Sequence, residues 1–518
     1  MKSYCFLSIT FILLNLGKLS AQSGSLDDSF GAAGKTTTHL YPGAKENGFD
    51  IGLQPDGKII VKGFHSEEHQ DYLLRYNFNG TIDSSFGNQG QLQVGGILEL
   101  GNHNSMIVDD SGRILVLSGN YVLGESNFML YRYTSEGLPD NTFGISGCHR
   151  YYINQPYASA RLIKVRPDGK MLISGVLDSD EFVFITCIAP DGIIDDSYGQ
   201  NGTIIVPIDM FEGPKFYTIG IQPDNKVVIA GTFNNYYQRD IYCIRIDENG
   251  TIDNQFGTNG KVTLDFNENK EYWVDLVVQP DSKIVISCTE DTGSGDFAVA
   301  RFNTNGQLDN TFGEGGKRVI DLYCGGVDYC RSICLQIDGK ILLTGESYCN
   351  YYYKYDFSLV SLNPDGSMDS DFGNNGVVEI DFNFLKDGAV KSVIQDDNRI
   401  ITIGSGQIAN NDDIGLCRIL TTLYLKVQDF STTSDNIFVY PNPIKWQCNL
   451  SYELPVEGNI KVELYSMDGN MIKKLIINQF RRAGINNENL DFSDISVGNY
   501  ILKVSNGTGI ASVQVIKL

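Results

Sequence analysis

Close copies of the string DSSFGNQG at residues 83–90 recur along the chain. The six other copies are DDSFGAAG (27–34), DNTFGISG (140–147), DDSYGQNG (195–202), DNQFGTNG (253–260), DNTFGEGG (309–316) and DSDFGNNG (369–376). Measured between their aromatic residues, successive copies are 55 to 60 residues apart. A period this regular indicates seven copies of one structural unit.

The repeated aspartate and aromatic residues have structural roles that need no catalytic chemistry. The aspartate can accept hydrogen bonds from the N–H groups of a turn, and the two glycines permit a positive φ. The phenylalanine or tyrosine is large and apolar, so it can anchor the contact between neighbouring units. The DENGTID segment (247–253) lacks the spacing of a calcium loop, so turn formation is the better interpretation. The repeat residues are Asp27, Phe30, Asp83, Phe86, Asp140, Phe143, Asp195, Tyr198, Asp253, Phe256, Asp309, Phe312, Asp369 and Phe372.

Each unit also contains a polar turn such as PDGK (55–58) and four short strand-like runs. In the fifth unit these runs read KVTLDF, WVDLVVQ, KIVIS and FAVARF. Short β-branched and aromatic runs between Gly, Asp and Asn turns are typical of strands and hairpins. Seven such units predict an all-β fold, a seven-bladed β-propeller, because ring closure protects the sheet edges. The competing interpretation is an open solenoid, whose repeats are usually shorter, about 20 to 45 residues.

Residues 438–518 follow a different pattern. Runs such as NLSYELP (449–455) and GIASVQVIKL (509–518) are strand-like, and Asp468-Gly469 is a typical hairpin turn. The segment therefore predicts a small Ig-like antiparallel β-sandwich behind a linker rich in Ser, Thr and Asp.

The seven units resemble the delta-60 repeat family, whose pattern combines an LD-x-x-FG-x-x-G segment with a PDGK turn. The resemblance extends from Leu26 to about Leu420. It implies a surface or secreted bacterial protein, in a family without established shared catalytic residues. The third unit departs most, because Cys187-Ile188-Ala189 replaces the usual Arg-Tyr-Asn.

The C-terminal module resembles the sorting domain of the type IX secretion system of Bacteroidetes. The resemblance implies recognition by the type IX machinery, passage across the outer membrane, and removal of the domain in the linker. The matching positions are Tyr440, Pro441, Asn442, Pro443, Met467, Asp468, Gly469, Gly498, Asn499, Tyr500, Ile516, Lys517 and Leu518.

The N-terminus and the overall charge agree with export. A lysine at position 2, an apolar run from Phe6 to Leu16 and Ala21 together predict a signal peptide cleaved between Ala21 and Gln22. No stretch is long and apolar enough to predict a membrane span in the mature chain. The net charge of −23 argues against nucleic acid as a partner. The predicted division is a signal peptide (1–21), a propeller (22–421), a linker (422–437) and a sorting domain (438–518).

The predicted loops divide into two faces. The PDGK turns and the DSSFGNQG-like segments share a nearly invariant face, which we call the turn face. The remaining loops share a face whose sequence changes from unit to unit, which we call the variable face. Variable loops on a rigid scaffold commonly carry binding sites. The candidate ligand-binding residues are Tyr236, Tyr237, Tyr351, Tyr352, Tyr353 and Tyr355, which could stack on sugar rings or anchor a protein.

The sequence therefore favours a secreted or surface-displayed monomer that recognises a glycan or protein without enzymatic activity. The alternatives are an extracellular polysaccharide hydrolase or lyase and a purely structural surface protein. No catalytic residues, cofactor or metal site are predicted. His65-Ser-Glu-Glu-His69 matches a metalloprotease string, but it lies in a hairpin loop, whereas that chemistry requires a helix.

The chain has 11 cysteines. Three of them, Cys324, Cys330 and Cys349, are expected in loops of the sixth unit on the variable face. Because exported proteins meet oxidising conditions, we predict a disulfide joining Cys349 to Cys324 or to Cys330. Spacing alone does not choose between these two partners.

Overall fold

The computed structural model of the protein is built from β-strands. It describes residues 22–39, 46–65, 70–94, 105–122, 125–153, 158–177, 181–208, 212–235, 238–266, 269–291, 293, 295–322, 326–349, 354–382, 386–408, 411–421, 437–454, 457–466, 471–482, 484–506 and 509–518. The predicted signal peptide and nearly all of the predicted linker lie outside these residues. Within the described residues there are 35 strands and no α-helix, so the predicted all-β class is confirmed.

Strands β1 to β28 form seven antiparallel groups of four, which we number as blades 1 to 7. Blade 1 contains β2 (Glu46–Leu53), β3 (Ile59–His65), β4 (Gln70–Tyr76) and β5 (Gln91–Gln93), and blade 2 contains β6 (Met106–Val108), β7 (Ile114–Val122), β8 (Glu125–Tyr133) and β9 (Cys148–Tyr152). Blade 3 contains β10 (Ser159–Val165), β11 (Met171–Leu177), β12 (Phe182–Ile188) and β13 (Thr203–Pro207). Blade 4 contains β14 (Glu212–Ile221), β15 (Val227–Asn235), β16 (Gln238–Ile246) and β17 (Lys261–Leu264).

Blades 5 to 7 complete the set. Blade 5 contains β18 (Lys270–Val278), β19 (Ile284–Asp291), β20 (Asp296–Phe302) and β21 (Lys317–Ile320). Blade 6 contains β22 (Asp328–Leu335), β23 (Ile341–Cys349), β24 (Lys354–Leu362) and β25 (Val377–Ile380). Blade 7 contains β26 (Asp387–Ile394), β27 (Ile400–Ile408), β28 (Asn411–Ile419) and β1 (Lys35–Thr38). A single parallel pairing of Arg239 with Lys270 links blades 4 and 5 into one eight-stranded sheet.

The first strand of each blade lies innermost. β2 contacts β6, β6 contacts β10, and the series continues through β14, β18 and β22 to β26, which contacts β2 again. This circuit closes the ring, as a propeller requires and an open solenoid does not. The hydrophobic core is divided among the blade interfaces; one part joins Val285 and Phe297 of blade 5 to Ile333 and Leu343 of blade 6.

The sequence repeat and the blade are offset by one strand. Each DSSFGNQG-like segment connects the third strand of a blade to its own fourth strand, as residues 77–90 connect β4 to β5. In blade 7 the fourth strand is β1, from the start of the chain, which pairs antiparallel with β28 from Lys35↔Cys417 to Thr38↔Ile414. The two ends of the propeller sequence therefore meet in one sheet.

An arginine on the third strand binds the repeated aspartate in five of the seven blades. The ion pairs are Arg75–Asp83 (2.8 Å), Arg132–Asp140 (2.8 Å), Arg245–Asp253 (3.0 Å), Arg301–Asp309 (2.8 Å) and Arg418–Asp27 (2.8 Å). The same guanidinium reaches the next blade, since Arg132 Nη1 donates to the Pro190 carbonyl at 2.8 Å. These arginines therefore join neighbouring blades as well as holding the turn.

The repeated aromatic residue is also a contact between blades, as predicted. Phe86 of blade 1 is fully buried and packs beneath Gly137 in the turn of blade 2. A Cβ at Gly137, where φ is +81°, would lie 2.6 Å from the Phe86 ring. The turn therefore requires glycine both for its backbone conformation and for the close approach of the ring.

The C-terminal region consists of two antiparallel sheets that share one core. The strands are β29 (Ile437–Tyr440), β30 (Gln447–Leu454), β31 (Gly458–Ser466), β32 (Met471–Arg481), β33 (Gly484–Asp491), β34 (Gly498–Asn506) and β35 (Gly509–Lys517). The sheet orders are β29-β30-β33 and β32-β31-β34-β35. Leu450 of the first sheet and Leu464 and Leu502 of the second are fully buried in the common core.

The YPNP segment of this region holds the last strand. The side chain of Asn442 accepts a hydrogen bond from the Ile516 N–H at 2.8 Å and donates one to the Gln514 carbonyl at 3.0 Å. The Tyr440-Pro441 and Asn442-Pro443 peptide bonds are cis. Lys517 is buried, with Nζ 5.3 Å from the centre of the Trp446 ring, and the Tyr500 hydroxyl donates to the Ser496 carbonyl. The predicted turn at Asp468-Gly469 lies outside the described residues.

Candidate functional site

Aromatic side chains gather on the variable face of blades 5 and 6, where the inner strands begin. Trp273 on β18 meets Tyr329 on β22 edge to face, with ring centres 4.8 Å apart. Tyr348 and Tyr355, opposite one another on β23 and β24, have ring centres 4.7 Å apart. We call Trp273, Tyr329, Tyr348 and Tyr355 the aromatic cluster. All four are partly exposed, so the cluster is accessible from solvent.

Charged side chains hold the aromatic cluster in place. The Arg331 guanidinium lies 4.1 Å from the centre of the Trp273 ring, and its Nη2 binds Glu346 at 2.5 Å. The Lys386 ammonium lies 5.3 Å from the centre of the Tyr355 ring. Burial and then the neighbouring Tyr329 raise the pKa of Tyr355. The cluster therefore combines exposed rings with fixed hydrogen-bonding groups, which is the composition of many ligand sites.

The backbone at Trp273 has an unusual conformation. Its φ is +51°, which is rare for a large side chain, and it lies in a bulge between Tyr272 and Asp275. A β-bulge redirects side chains at sheet edges and near binding sites. The bulge therefore gives the Trp273 side chain an orientation that regular pairing would not produce, and strained positions of this kind concentrate at functional sites.

One of the six predicted tyrosines belongs to this cluster. Tyr355 lies within it, whereas Tyr236, Tyr237, Tyr351, Tyr352 and Tyr353 lie outside the described residues. Trp273, Tyr329 and Arg331 were missed because they stand on inner strands rather than in loops. Trp273 did have one signal in the sequence, since it is one of only two tryptophans in the chain.

Acidic side chains converge at successive blade junctions of the variable face. Each group takes one residue from the third strand, one from just after the fourth strand, and one from the inner strand of the next blade. In each group the ligating atoms lie within 4.8 Å of one another. The groups are Asp240, Asp265 and Glu271; Asp296, Asp321 and Asp328; Asp356, Asp381 and Asp387; and His39, Glu46 and Asp413.

The inner-strand acids of three junctions are buried. One oxygen of each accepts a backbone N–H, as Asp328 Oδ2 accepts from Leu322 at 2.9 Å. Burial first, and then neighbouring carboxylates, raise the pKa of Glu271 to about 9, that of Asp328 to about 8 and that of Asp387 to about 7. Burial, followed by the Asp321 carboxylate, raises the pKa of Asp296 to about 6.

Other charged residues connect the inner strands to one another. Lys391 Nζ on β26 binds Asp50 Oδ1 on β2 at 2.5 Å, and Asp50 Oδ2 accepts the Met106 N–H of β6 at 2.7 Å. Asp275 on β18 accepts hydrogen bonds from the Thr218 hydroxyl and the Ile333 N–H, each at 3.2 Å. These carboxylates are therefore occupied in joining neighbouring blades.

One of the two predicted disulfides, between Cys349 and Cys330, is wrong. Cys330 lies in strand β22 rather than in a loop, is buried and is a free thiol, so a Cys349–Cys330 disulfide is not formed. It faces inward because inner-strand residues alternate between the core and the opposite side. Cys324 and the side chain of Cys349 lie outside the described residues. His65 ends strand β3, and the rest of the His65–His69 string also lies outside them.

The turn face has a cavity of about 560 Å³ at the departing third unit, between blades 3 and 4. Cys187 stands where five other blades have the arginine that binds the repeated aspartate, and Asp195 binds Lys170 at 2.7 Å, as Asp309 binds Lys283 in blade 5. Arg166 stands where five other repeats have glutamine, and its guanidinium lies 5.8 Å from the centre of the Tyr198 ring. Arg166, which directly follows β10, thus places a guanidinium near the repeated aromatic residue, Tyr198.

Two family models match parts of the chain. Residues 54–86, 222–256, 279–312 and 336–372 match the family described as "domain of unknown function (DUF5122) beta-propeller". Residues 438–517 match the secretion system C-terminal sorting domain, which confirms that prediction and implies export to the cell surface or the extracellular space. No helix with the length and apolar composition needed to cross a membrane occurs among the described residues.

Several solved structures are similar to this chain at low identity. The β-propeller domain of the Trilobed protease from Pyrococcus furiosus is 10% identical, with a TM-score of 0.39, over 72% of this chain and 95% of that one. A protein of unknown function from Dyadobacter fermentans is 11% identical (TM-score 0.39; 75% and 99%). The polysaccharide lyase Uly1 is 9% identical (TM-score 0.36; 77% and 91%). No curated protein matches the sequence significantly. The chain therefore carries a secretion-system sorting domain behind propeller repeats of the DUF5122 type.

Proposed function

We propose that this protein is exported through the type IX secretion system and recognises a glycan through the aromatic cluster, without changing it chemically. The observation that carries the proposal is the partly exposed Trp273 ring, held by Arg331 on a strained backbone at the variable face. Indole and phenol rings stack on the apolar faces of sugars, and fixed charged groups supply hydrogen bonds to the hydroxyls.

The acids of the junction groups lie closer together than the carboxyl pair of a glycosidase. Glycosidases place their two carboxyl groups about 5 to 5.5 Å or about 6.5 to 9.5 Å apart, with the sugar between them. The ligating atoms of the junction groups lie within 4.8 Å of one another, and at least one member of each is buried. A sugar ring does not fit between such atoms.

A glycan array probed with the full-length chain, together with a polysaccharide-degradation screen, tests the proposal. We expect binding to at least one glycan class, with no release of reducing ends or unsaturated products. Trp273→Ala should weaken that binding about tenfold or more, because aromatic anchors dominate interface energies. Tyr152→Ala is a matched control, because Tyr152 is also an aromatic residue of the variable face but is 60% exposed on β9, in blade 2.

The outcomes separate the alternatives. Binding that is lost in Trp273→Ala and retained in Tyr152→Ala supports the proposal. Turnover of a polysaccharide would instead indicate a hydrolase or lyase. Binding to a protein but to no glycan would show that the ligand is a protein. Neither binding nor turnover in any assay would favour a structural surface protein.

A further inference from the structure

The acidic junction groups differ in what neutralises them. At the junction of blades 6 and 7, Lys354 Nζ lies 2.6 Å from Asp381 and 3.5 Å from Asp356. At the junction of blades 7 and 1, the His39 ring binds Asp413 at 2.8 Å. A basic side chain of the protein thus stands among the acids at both of these junctions.

The junction of blades 5 and 6 has the same acids without such a side chain. Asp296 begins β20, Asp321 follows β21 and Asp328 begins β22, and their oxygens converge within 4.8 Å. Among the residues that the structure describes, no lysine, arginine or histidine forms an ion pair with any of the three. Three formal negative charges therefore meet there without a protein cation.

Asp328 provides a second, independent indication of a ligand. Its side chain is 1% exposed, and its Oδ2 accepts the Leu322 N–H at 2.9 Å. Its other oxygen, Oδ1, is buried and has no hydrogen-bond partner within the described parts of the chain. Burying an unpaired carboxylate oxygen is costly, so buried acids are normally paired with a cation or bind a metal.

The geometry fits a hard divalent cation. Calcium binds oxygen ligands at about 2.3 to 2.6 Å, so two ligands of one ion lie at most about 5 Å apart. The oxygens of the group satisfy this limit. Asp321 is exposed, which gives the ion a path from solvent and leaves room for the water ligands that both calcium and magnesium retain.

We infer that Asp296, Asp321 and Asp328 form a site for a divalent cation, calcium or magnesium, that joins blades 5 and 6. The ion takes the place that Lys354 occupies at the next junction. The site lies on the variable face but is independent of the glycan proposal, since it needs no further ligand.

Calcium and magnesium titrations of the chelator-treated, full-length chain test the inference. Isothermal titration counts the sites, and thermal unfolding with and without 10 mM cation measures their effect on stability. We expect saturable binding of at least one of the two ions and an increase in Tm of about 3 °C or more. Asp328→Asn keeps the shape and the backbone contact but removes one charge, so the number of bound ions should fall by one.

A matched control variant, together with the melting temperatures measured with and without cation, distinguishes a metal ligand from an acid that only supports the fold. Asp387→Asn changes the equivalent acid at the Lys354 junction and should leave the number of bound ions unchanged. Without cation, Asp328→Asn should melt at least as high as the wild-type chain, because it removes a buried carboxyl that ionises unfavourably beside Asp296 and Asp321. With saturating cation the order should reverse.

Each result either supports or overturns the site. Absence of binding of both ions to the wild-type chain would overturn it, as would an equal loss of binding in both variants. If Asp328→Asn does not fold, as judged by circular dichroism, Asp321→Asn at the exposed position provides the same comparison.

Discussion

At the residue scale, one repeated aspartate performs two tasks with its two oxygens. Asp309 Oδ1 accepts from the Thr311 N–H and hydroxyl, while Oδ2 binds Arg301 and Lys283. Burial by itself raises the pKa of this carboxyl, but the hydrogen bonds from Thr311 and Lys283 and the Arg301 charge bring it well below its usual range. The ionised form is therefore the one that the fold requires.

The stability of the propeller should consequently fall in acid. A carboxyl whose pKa is lower in the folded chain contributes stability that is present above about pH 4 and is lost as the pH falls toward the folded value. We expect the free energy of unfolding, measured with urea between pH 5 and pH 2, to decrease below pH 4. Asp309→Asn should cost about 3 kcal/mol or more at pH 5, because it leaves Arg301 unpaired.

The same variant provides the internal check. It should lose less stability than the wild-type chain between pH 4 and pH 2, since one titrating group has been removed. An equal loss in both chains over this range would assign the acid sensitivity to other groups.

The third unit shows how an altered repeat is compensated by a second residue. Cys187 replaces the arginine of the third strand, and Arg166 replaces the glutamine that stands before the PDGK turn in most repeats. Burial raises the pKa of the Cys187 thiol to about 11, so it stays neutral beside Asp195. Arg166 is buried, and its guanidinium lies near the Tyr198 ring, as the third-strand arginine Arg245 lies near Phe256 in blade 4.

Exchanging the two residues should reveal their coupling. Cys187→Arg alone places a second guanidinium beside Arg166 and should destabilise the chain by about 1 to 3 kcal/mol. Adding Arg166→Gln restores the arrangement of the other blades and should recover at least about 1 kcal/mol. A double-mutant cycle measured by chemical denaturation gives the coupling energy; strictly additive effects would contradict this interpretation.

At the scale of elements, the strand β1 closes the ring. It completes blade 7 by pairing with β28, and Asp27 just before it binds Arg418 at 2.8 Å. The backbone of Ser23 also accepts the Gly373 N–H of blade 6 at 2.8 Å. The start of the chain thus substitutes for the turn and fourth strand that the final repeat does not contain.

Removal of residues 22–38 should therefore damage the whole propeller rather than a single edge. The truncated chain exposes the edge of β28, and an unpaired edge promotes association between chains. We expect aggregation by size-exclusion chromatography and loss of a cooperative thermal transition. Asp27→Asn is the control, because it weakens the ion pair but keeps the strand, and it should lower Tm while leaving the chain monodisperse. A truncated chain with an unchanged Tm would contradict this role.

At the scale of the whole molecule, the chain divides into two parts with separate cores and separate tasks. The propeller buries its apolar residues between blades, and the sorting domain buries its own between two sheets. Because neither core draws on residues of the other part, the sorting domain can be changed without altering the propeller.

Deleting residues 438–518 should retain the protein in the periplasm, which fractionation and surface proteolysis would detect. Asn442→Ala should reduce export in the same direction, because two hydrogen bonds that hold β35 are lost, at a cost of about 1 to 3 kcal/mol. Lys461→Ala, at an exposed position of β31, should export normally. Normal surface display of the deleted chain would refute the sorting role.

Features that depend on residues close together in the chain could be predicted from the sequence alone. The Asp-x-x-Phe-Gly turns, the alternation of strands and turns, and the sorting motif are short-range patterns, so one chain was enough to predict an all-β fold with two parts. The repeat period also predicted that Phe86 and its equivalents would be buried anchors, as they are. Local hydrogen bonding and φ preferences act over a few residues and are written directly in the sequence.

How the repeats share their strands, and which distant residues meet, is seen only in the folded chain. The offset of one strand makes β1 part of blade 7, which no local pattern reveals. Trp273 and Tyr329 stand one repeat apart in the sequence, yet their ring centres are 4.8 Å apart. Asp296, Asp321 and Asp328 belong to two blades, yet their oxygens lie within 4.8 Å of one another. The cause is the packing of consecutive blades around the ring: it places the inner strand of one blade against that of the next and thereby gathers side chains that lie about one repeat apart in the sequence.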